Sequence, residues 1–248
     1  MRPNQWAVLG IVLVAIGALG LLVSTVNLDE ESRTERFEGV TSVVFELDNS
    51  PIDFSGGGTD VVVDTSATTG FMGGEANVEV DDETLVISHD CPPLLSFGCR
   101  ASFDVTLPSE IEVSGSTSNG PISLTTLDGP VRVTTSNGPI TLEAVSSDTS
   151  IRTSNGSITG IDISSPRIDA TTSNGRITLE FAQAPASVEA SSSNGTIEVW
   201  IPQDAPPYAV STSTSNGNVE TDIRIDPQAE NSIEIRTSNG NITVGYRP

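Results

Sequence analysis

No lysine occurs among the 248 residues: all eleven cations are arginine, set against 33 aspartates and glutamates, for a formal net charge of −22. Aromatic residues make up only 4% of the chain, histidine occurs once (His89) and cysteine twice (Cys91, Cys99). A chain this acidic and poor in aromatics repels phosphate backbones and anionic headgroups, which argues against nucleic acid as a partner. Catalysis is also poorly provided for. Polysaccharide-acting β-helix enzymes need paired acids, often with a lysine or arginine as base or charge neutraliser. Here Arg132, Arg152 and Arg176 face outward by strand parity, beside no acidic cluster. The sequence has no glycine-rich phosphate loop and no nucleophile elbow, and Gly56-Gly57-Gly58-Thr59-Asp60 falls short of a calcium-binding nonapeptide. The chain reads as a non-enzyme without cofactor or catalytic residues. Its acidity fits either adaptation to high salt or a cation-binding surface. The acids are scattered rather than grouped as ligands, which favours salt adaptation.

One long apolar run is present. Trp6–Val26 comprises 21 uncharged residues, about 31 Å as a helix and enough to cross a bilayer core. Arg2 precedes it and Asp29, Glu30 and Glu31 follow, which places Met1–Gln5 in the cytoplasm and the rest outside, as a single-pass membrane protein. The length of the run, and the lack of a small-x-small site at its end, favour an uncleaved anchor over a signal peptide. Residues 27–39 read as an acidic stalk, 40–108 as irregular β-rungs and 109–248 as a regular repeat. Cys91 and Cys99, on the outer side of the membrane, are expected to form a disulfide worth about 2–3 kcal/mol. With His89 two residues away, a His/Cys/Cys metal site is the minor alternative, lacking a fourth ligand at a familiar spacing.

The dominant feature is Thr-Ser-Asn-Gly followed, after one variable residue, by Ile or Val. Its asparagines are Asn119, Asn137, Asn155, Asn174, Asn194, Asn216 and Asn239, spaced 18, 18, 19, 20, 22 and 23 residues apart. Leu47–Ile52 is a degenerate copy with Ser50 in the glycine position. Such a period is the mark of stacked structural repeats. Asn-Gly is also a common hairpin turn, but Pro121 and Pro139 follow two of the glycines and have no N–H to close one. Counting back by twos from each Asn meets Thr and then aliphatics, as in Thr135, Val133 and Val131. The expectation is therefore an all-β, single-handed parallel β-solenoid of two-strand rungs. Its asparagines should point inward as a buried amide ladder. The corner glycines, Gly120, Gly138, Gly156, Gly175, Gly195, Gly217 and Gly240, are expected at positive φ.

All length variation falls on the second corner of each rung. The distance from the post-Asn aliphatic to the next inward triplet grows from 9 residues (Ile122 to Val131) to 13 (Ile197 to Val210) and 14 (Val219 to Ile233). The extra segments lie at Gln183–Ser187, Gln203–Tyr208 and Asp226–Ser232, so Trp200 and Tyr208 mark a candidate recognition edge, with inert spacers the equal alternative. Asn155 and Asn194 match the glycosylation pattern but should be inaccessible if inward; Asn241 is better placed. The last strand, Asn241–Val244, has no visible cap, which predicts end-to-end self-association.

The run Phe103-Asp-Val105-Thr-Leu107-Pro108, then Ile111–Val113, then repeated Ser-Asn-Gly-x-Ile, resembles the putative-adhesin β-strand-repeat domains of unknown function on membrane-anchored bacterial and archaeal proteins. It is similar also to the related head domain named for its Gly-Ile-Asn motif. The resemblance spans about Val40 to Val244 and implies a surface-exposed β-solenoid that offers no catalytic residues to carry over. A membrane-tethered binding, adhesin-like or envelope-structural module with a surface protein or glycan as partner is the leading expectation. The alternative is the sensor ectodomain of an envelope-stress system, and a polysaccharide-acting enzyme ranks below both.

Overall fold

The computed structural model describes residues 29–69, 75–91 and 99–248. The anchor candidate Trp6–Val26 and the loop Pro92–Gly98 lie outside these residues. Among the described residues no helix is long and apolar enough to cross a membrane, and every regular element is a strand. The first seven are β1 (Asp29–Phe37), β2 (Ser42–Leu47), β3 (Ile52–Gly56), β4 (Val61–Thr69), β5 (Glu75–Asp81), β6 (Thr84–Asp90) and β7 (Arg100–Leu107). The regular region then supplies β8 (Glu112–Thr117), β9 (Ile122–Thr125), β10 (Val131–Thr135), β11 (Ile140–Glu143), β12 (Thr149–Thr153), β13 (Ile158–Ile163), β14 (Arg167–Thr172) and β15 (Ile177–Phe181). The chain ends with β16 (Ser187–Asn194), β17 (Ile197–Ile201), β18 (Ala209–Asn216), β19 (Val219–Asp222), β20 (Ser232–Asn239) and β21 (Ile242–Tyr246).

These strands form two sheets, of ten and eleven strands, that face each other across one core. Each rung gives one strand to each sheet, and neighbouring rungs pair parallel and in register, as in Val131↔Thr149 and Ile140↔Ile158. Period-2 alternation buries one face of the strands in the interior of the stack, as in β10, β15 and β17. Ile140, Ile158, Ile177, Ile197 and Ile242 form a column at 0% exposure, each contributing about 1.5–3 kcal/mol through burial. The prolines fit this plan because they serve as acceptors: the Ile52 and Ile122 N–H groups donate to the carbonyls of Pro121 and Pro139 at 3.1 and 3.0 Å.

Rung order departs from chain order at both ends. β2 and β3 lie between the β8/β9 rung and the β6/β7 rung. At the other end β20 and β21 are interposed between the β16/β17 rung and the β18/β19 rung. The connectors 202–208 and 223–231 are long because the first must step over the place of the interposed rung and the second must return to it. Topology thus accounts for the two longest spacings. The strand expected to be the open end, Asn241–Val244, is flanked on both sides; at this end of the stack the edge strands are β18 and β19. The first part of the chain, where an acidic stalk was expected, forms β1, paired antiparallel with β4 from Asp29 to Phe37, and Phe37 packs against the core.

At the first corner the sequence motif becomes a stacking contact. A Cβ on Gly138 would lie 1.9 Å from the carbonyl oxygen of Gly120, and the same clash recurs at 1.9 Å for Gly156 on Gly138 and Gly175 on Gly156. Only glycine lets successive corners approach this closely. The expected positive φ is not the reason: of the seven, Gly240 alone lies on that side, at 158°, close to extended. Ser50, in the glycine position of the degenerate copy, instead places its Oγ 2.7 Å from His89 Nδ1 of the adjoining rung. Gly156→Ala should therefore destabilise the protein by about 3 kcal/mol, since backbone rather than a side chain must give way. Ser154→Ala, on the exposed corner beside it, should stay within about 0.5 kcal/mol of wild type in urea unfolding.

Candidate functional site

Inward-facing alternation runs only as far as the motif threonine: β8, β10, β12 and β14 end there, and in β16 and β20, which run on to the asparagine, the last two residues are both exposed. Thr117, Thr135, Thr153 and Thr172 are buried at 5% exposure or less. Each hydroxyl donates to the corner carbonyl of the rung before it, as Thr135 to Gly120 O at 3.1 Å and Thr153 to Gly138 O at 3.0 Å. The same oxygens accept their own glycine N–H, at 3.1 Å in both rungs. The buried polar groups of the corner are thereby satisfied.

The asparagines do stack, but in solvent rather than in the core. All seven are exposed, which corrects the inward orientation expected from parity. Their side-chain amides form one unidirectional chain: Asn216 donates to Asn239, Asn239 to Asn194, Asn194 to Asn174, Asn174 to Asn155, Asn155 to Asn137 and Asn137 to Asn119, at 2.6–2.9 Å. Asn119 donates in turn to Asn49 of the degenerate copy. The serines Ser118, Ser136, Ser154 and Ser173 are exposed beside them. The corner therefore presents an uncharged strip of amides and hydroxyls repeating at about 4.8 Å. Asn155 and Asn194, which parity had hidden, lie on this exposed strip.

The proposed recognition edge does not assemble as expected. Tyr208 is at 0% exposure and donates its hydroxyl to the Pro185 carbonyl at 2.8 Å. It plugs the core beneath the crossing connectors, and burial pushes its phenol up to about 12. Trp200 is half-buried on the outer face of its sheet, against Gly245, where a Cβ would come within 2.7 Å of the indole. It lines a shallow groove with Gln203, Glu220, Asp222, Thr243 and Tyr246.

At the opposite end His89 occupies the inward corner position that Leu47 and Thr117 fill in the next two rungs. It is 2% exposed, its Nδ1 is 2.7 Å from Ser50 Oγ and its Nε2 is 3.6 Å from Cys99 Sγ. Cys91 and Cys99 form a disulfide with Cα atoms 5.9 Å apart. The Cys91 N–H donates to Asp48 Oδ2 at 2.8 Å. The three ligand atoms of the minor metal-site alternative lie within 4.8 Å of one another, but both sulfurs are already bonded, so only the reduced pair could act as thiolate ligands. Desolvation lowers the His89 pKa against the opposing pull of Asp48 and Asp90.

The charged faces hold ion pairs. Arg152 pairs with Asp169, Arg167 with Asp148, and Arg176 with Glu198 at 3.6 Å; the arginines are exposed and the acids partly so, and such pairs are individually worth little. Asp64, Asp104 and Asp53 stand side by side on β4, β7 and β3. Burial and the neighbouring Asp104 raise the Asp53 pKa, with Ser123 opposing.

A family model described as Toastrack DUF4097 matches residues 100–245. Comparison with curated proteins finds no match. Among solved structures the chain is similar to a putative adhesin from Bacteroides fragilis, at 12% identity over 88% of this chain and 97% of that one, with a TM-score of 0.57. It is also similar to a putative adhesin from Parabacteroides merdae (11% identity, 89% and 97% covered, TM-score 0.49). A third likeness is to a putative lipid binding protein from Parabacteroides distasonis (13% identity, 90% and 98% covered, TM-score 0.47). At such identities the likeness extends to the fold, and the first overlaps well enough to support it.

The two perturbed buried groups give opposite pH signatures. The raised phenol of Tyr208 contributes stability that is intact below pH 10 and lost as pH rises toward about 12. The lowered imidazole of His89 contributes stability present above pH 6.5 and lost as pH falls below it. Tyr208→Phe should flatten the alkaline limb of a stability–pH curve and leave the acid limb unchanged. An unaltered alkaline limb would show that the phenol is not buried.

Proposed function

The chain belongs to the Toastrack DUF4097 family, and from that premise we propose a non-catalytic binding module held at the cell surface, adhesin-like in role. The observation that carries this reading is the exposed amide ladder with its flanking serines. It is a rigid, uncharged strip on a chain of net charge −22, with donors and acceptors repeating at strand spacing. A hydroxyl-rich, neutral ligand matches it best, because each sugar hydroxyl both donates and accepts and brings no charge to be desolvated. A surface glycan is therefore the proposed partner class.

The apolar run Trp6–Val26 supports a single-pass tether with the sheets outside the membrane, and the Cys91–Cys99 bridge suits an oxidising compartment. The acid row Asp64–Asp104–Asp53 supports a saline working environment, where screening relieves like-charge repulsion. The Asn155→Asp, Asn174→Asp double variant places two carboxylates on the strip without altering its shape. On a glycan array, residues 29–248 should retain specific sugars that this variant releases by tenfold or more. Equal retention by both proteins would remove the strip from the binding surface, and hydrolysis of any arrayed glycan would overturn the non-catalytic reading.

A further inference from the structure

The two ends of the stack are finished differently. At the end formed by the first strands, both outermost strands are antiparallel additions, β1 on β4 and β5 on β6. Both are charged: β1 carries Asp29, Glu30, Glu31, Arg33, Glu35 and Arg36, and β5 carries Glu75, Glu79 and Asp81. Charge on an edge strand is a standard protection against pairing with another chain. At the other end β18 reads Ala-Val-Ser-Thr-Ser-Thr-Ser-Asn, with neither charge nor proline. Two of the chain's exposed apolar residues, Val219 at 45% and Ile225 at 54%, belong to this end.

The backbone shows which groups of β18 are on offer. The Ala209 N–H donates to Asn231 O, toward β20, whereas the Tyr208 N–H donates to Arg224 O and the Tyr208 carbonyl accepts from the Asp226 N–H on the far side. Alternation then turns the N–H and C=O groups of Val210, Thr212 and Thr214 to the side where no described strand lies. The segment around Ile225 bridges to this edge at Tyr208, and Ile225 and Pro227 line a shallow groove beside Val210.

We propose that β18 is a homodimerisation edge, along which two copies join end to end in antiparallel register about a two-fold axis through Thr212, with Val210 opposite Thr214 of the second copy. A second copy is the occupant because the edge strands of the opposite end, β1 and β5, are guarded by charge. A head-to-tail contact has no receptor there, while two equal open ends satisfy each other and close the assembly. The same rotation brings β19 beside its counterpart, so Glu220 and Asp222 of both chains approach one another, and each chain carries −22. Association is therefore conditional on salt, which cuts the screening length from about 10 Å at 0.1 M to about 3 Å at 1 M. This inference stands apart from the glycan-binding reading, since the amide strip lies along the side of the stack.

The test is the molar mass of the full chain in mild detergent, by light scattering in 0.1 M and 2 M KCl. The mass should correspond to a monomer in low salt and double in high salt. Ser213→Glu adds an exposed charge next to the axis, and Thr212→Pro removes an edge N–H that makes no bond within the chain. Both should melt as wild type in 2 M KCl and bind at least tenfold more weakly to a second copy, while Ser154→Glu, on the side of the stack, should dimerise normally. A wild-type monomer at both salts, undiminished dimers of Ser213→Glu and Thr212→Pro, or growth beyond the dimer would each overturn the proposal.

Discussion

The close approach of glycine to glycine at the first corner fixes the rest of the molecule. With a Cβ excluded by the carbonyl of the adjoining corner, each rung can settle on its neighbour in one register only. The threonine hydroxyl then reaches the same carbonyl from inside, and the asparagine amide reaches its neighbour from outside. One backbone contact thus organises three parallel files: a buried hydroxyl file, a backbone file and an exposed amide file. A one-residue slip would break all three and turn the aliphatic face to water.

Because every corner offers the same surface, the stack does not require rungs to follow chain order. The last rung in sequence can lie between two earlier ones as well as beyond them, and the composition shows why it does. β20 and β21 bring Ile233, Ile235, Ile242 and Val244, all fully buried. β18 and β19 bring Val210, Thr212, exposed Val219 and Thr221 to the same positions. The more apolar rung takes the interior place and the more polar one the end, which leaves less apolar surface in water. Tyr208 fills the space under the connectors that make the exchange possible.

Much of this was legible in the sequence. The period gave the rungs, the prolines after glycine argued against hairpins, and alternation placed the threonines and aliphatics on the core side. Parity misled at the asparagines because alternation is lost at the corner: four strands end at the threonine, and in β16 and β20 the two residues beyond it are both exposed. The glycines looked like turn residues, whereas their role is steric and depends on a partner about 18 residues away that no local rule can see. The lengthening of the last spacings was visible, and for the two longest it follows from the stacking order. Tyr208 shows the limit of such a signal, since an aromatic in a variable segment reads as a contact residue until the core is seen to close over it. His89 lay beside the cysteines in sequence, but its contact with Ser50 arises only when β6 stacks on β2.

Paired cysteines across the ten-stranded sheet test the stacking order directly. Ser191 on β16 lies beside Arg236 on β20, and Arg236 lies beside Ser213 on β18. Cysteines at 191 and 236 should cross-link readily under mild oxidation, at the Cα separation that disulfides require. Cysteines at 191 and 213, with β20 between them, should remain reduced. A bond between 191 and 213 would mean that the rungs stack in chain order, and the corner-on-corner account of this end of the molecule would be wrong.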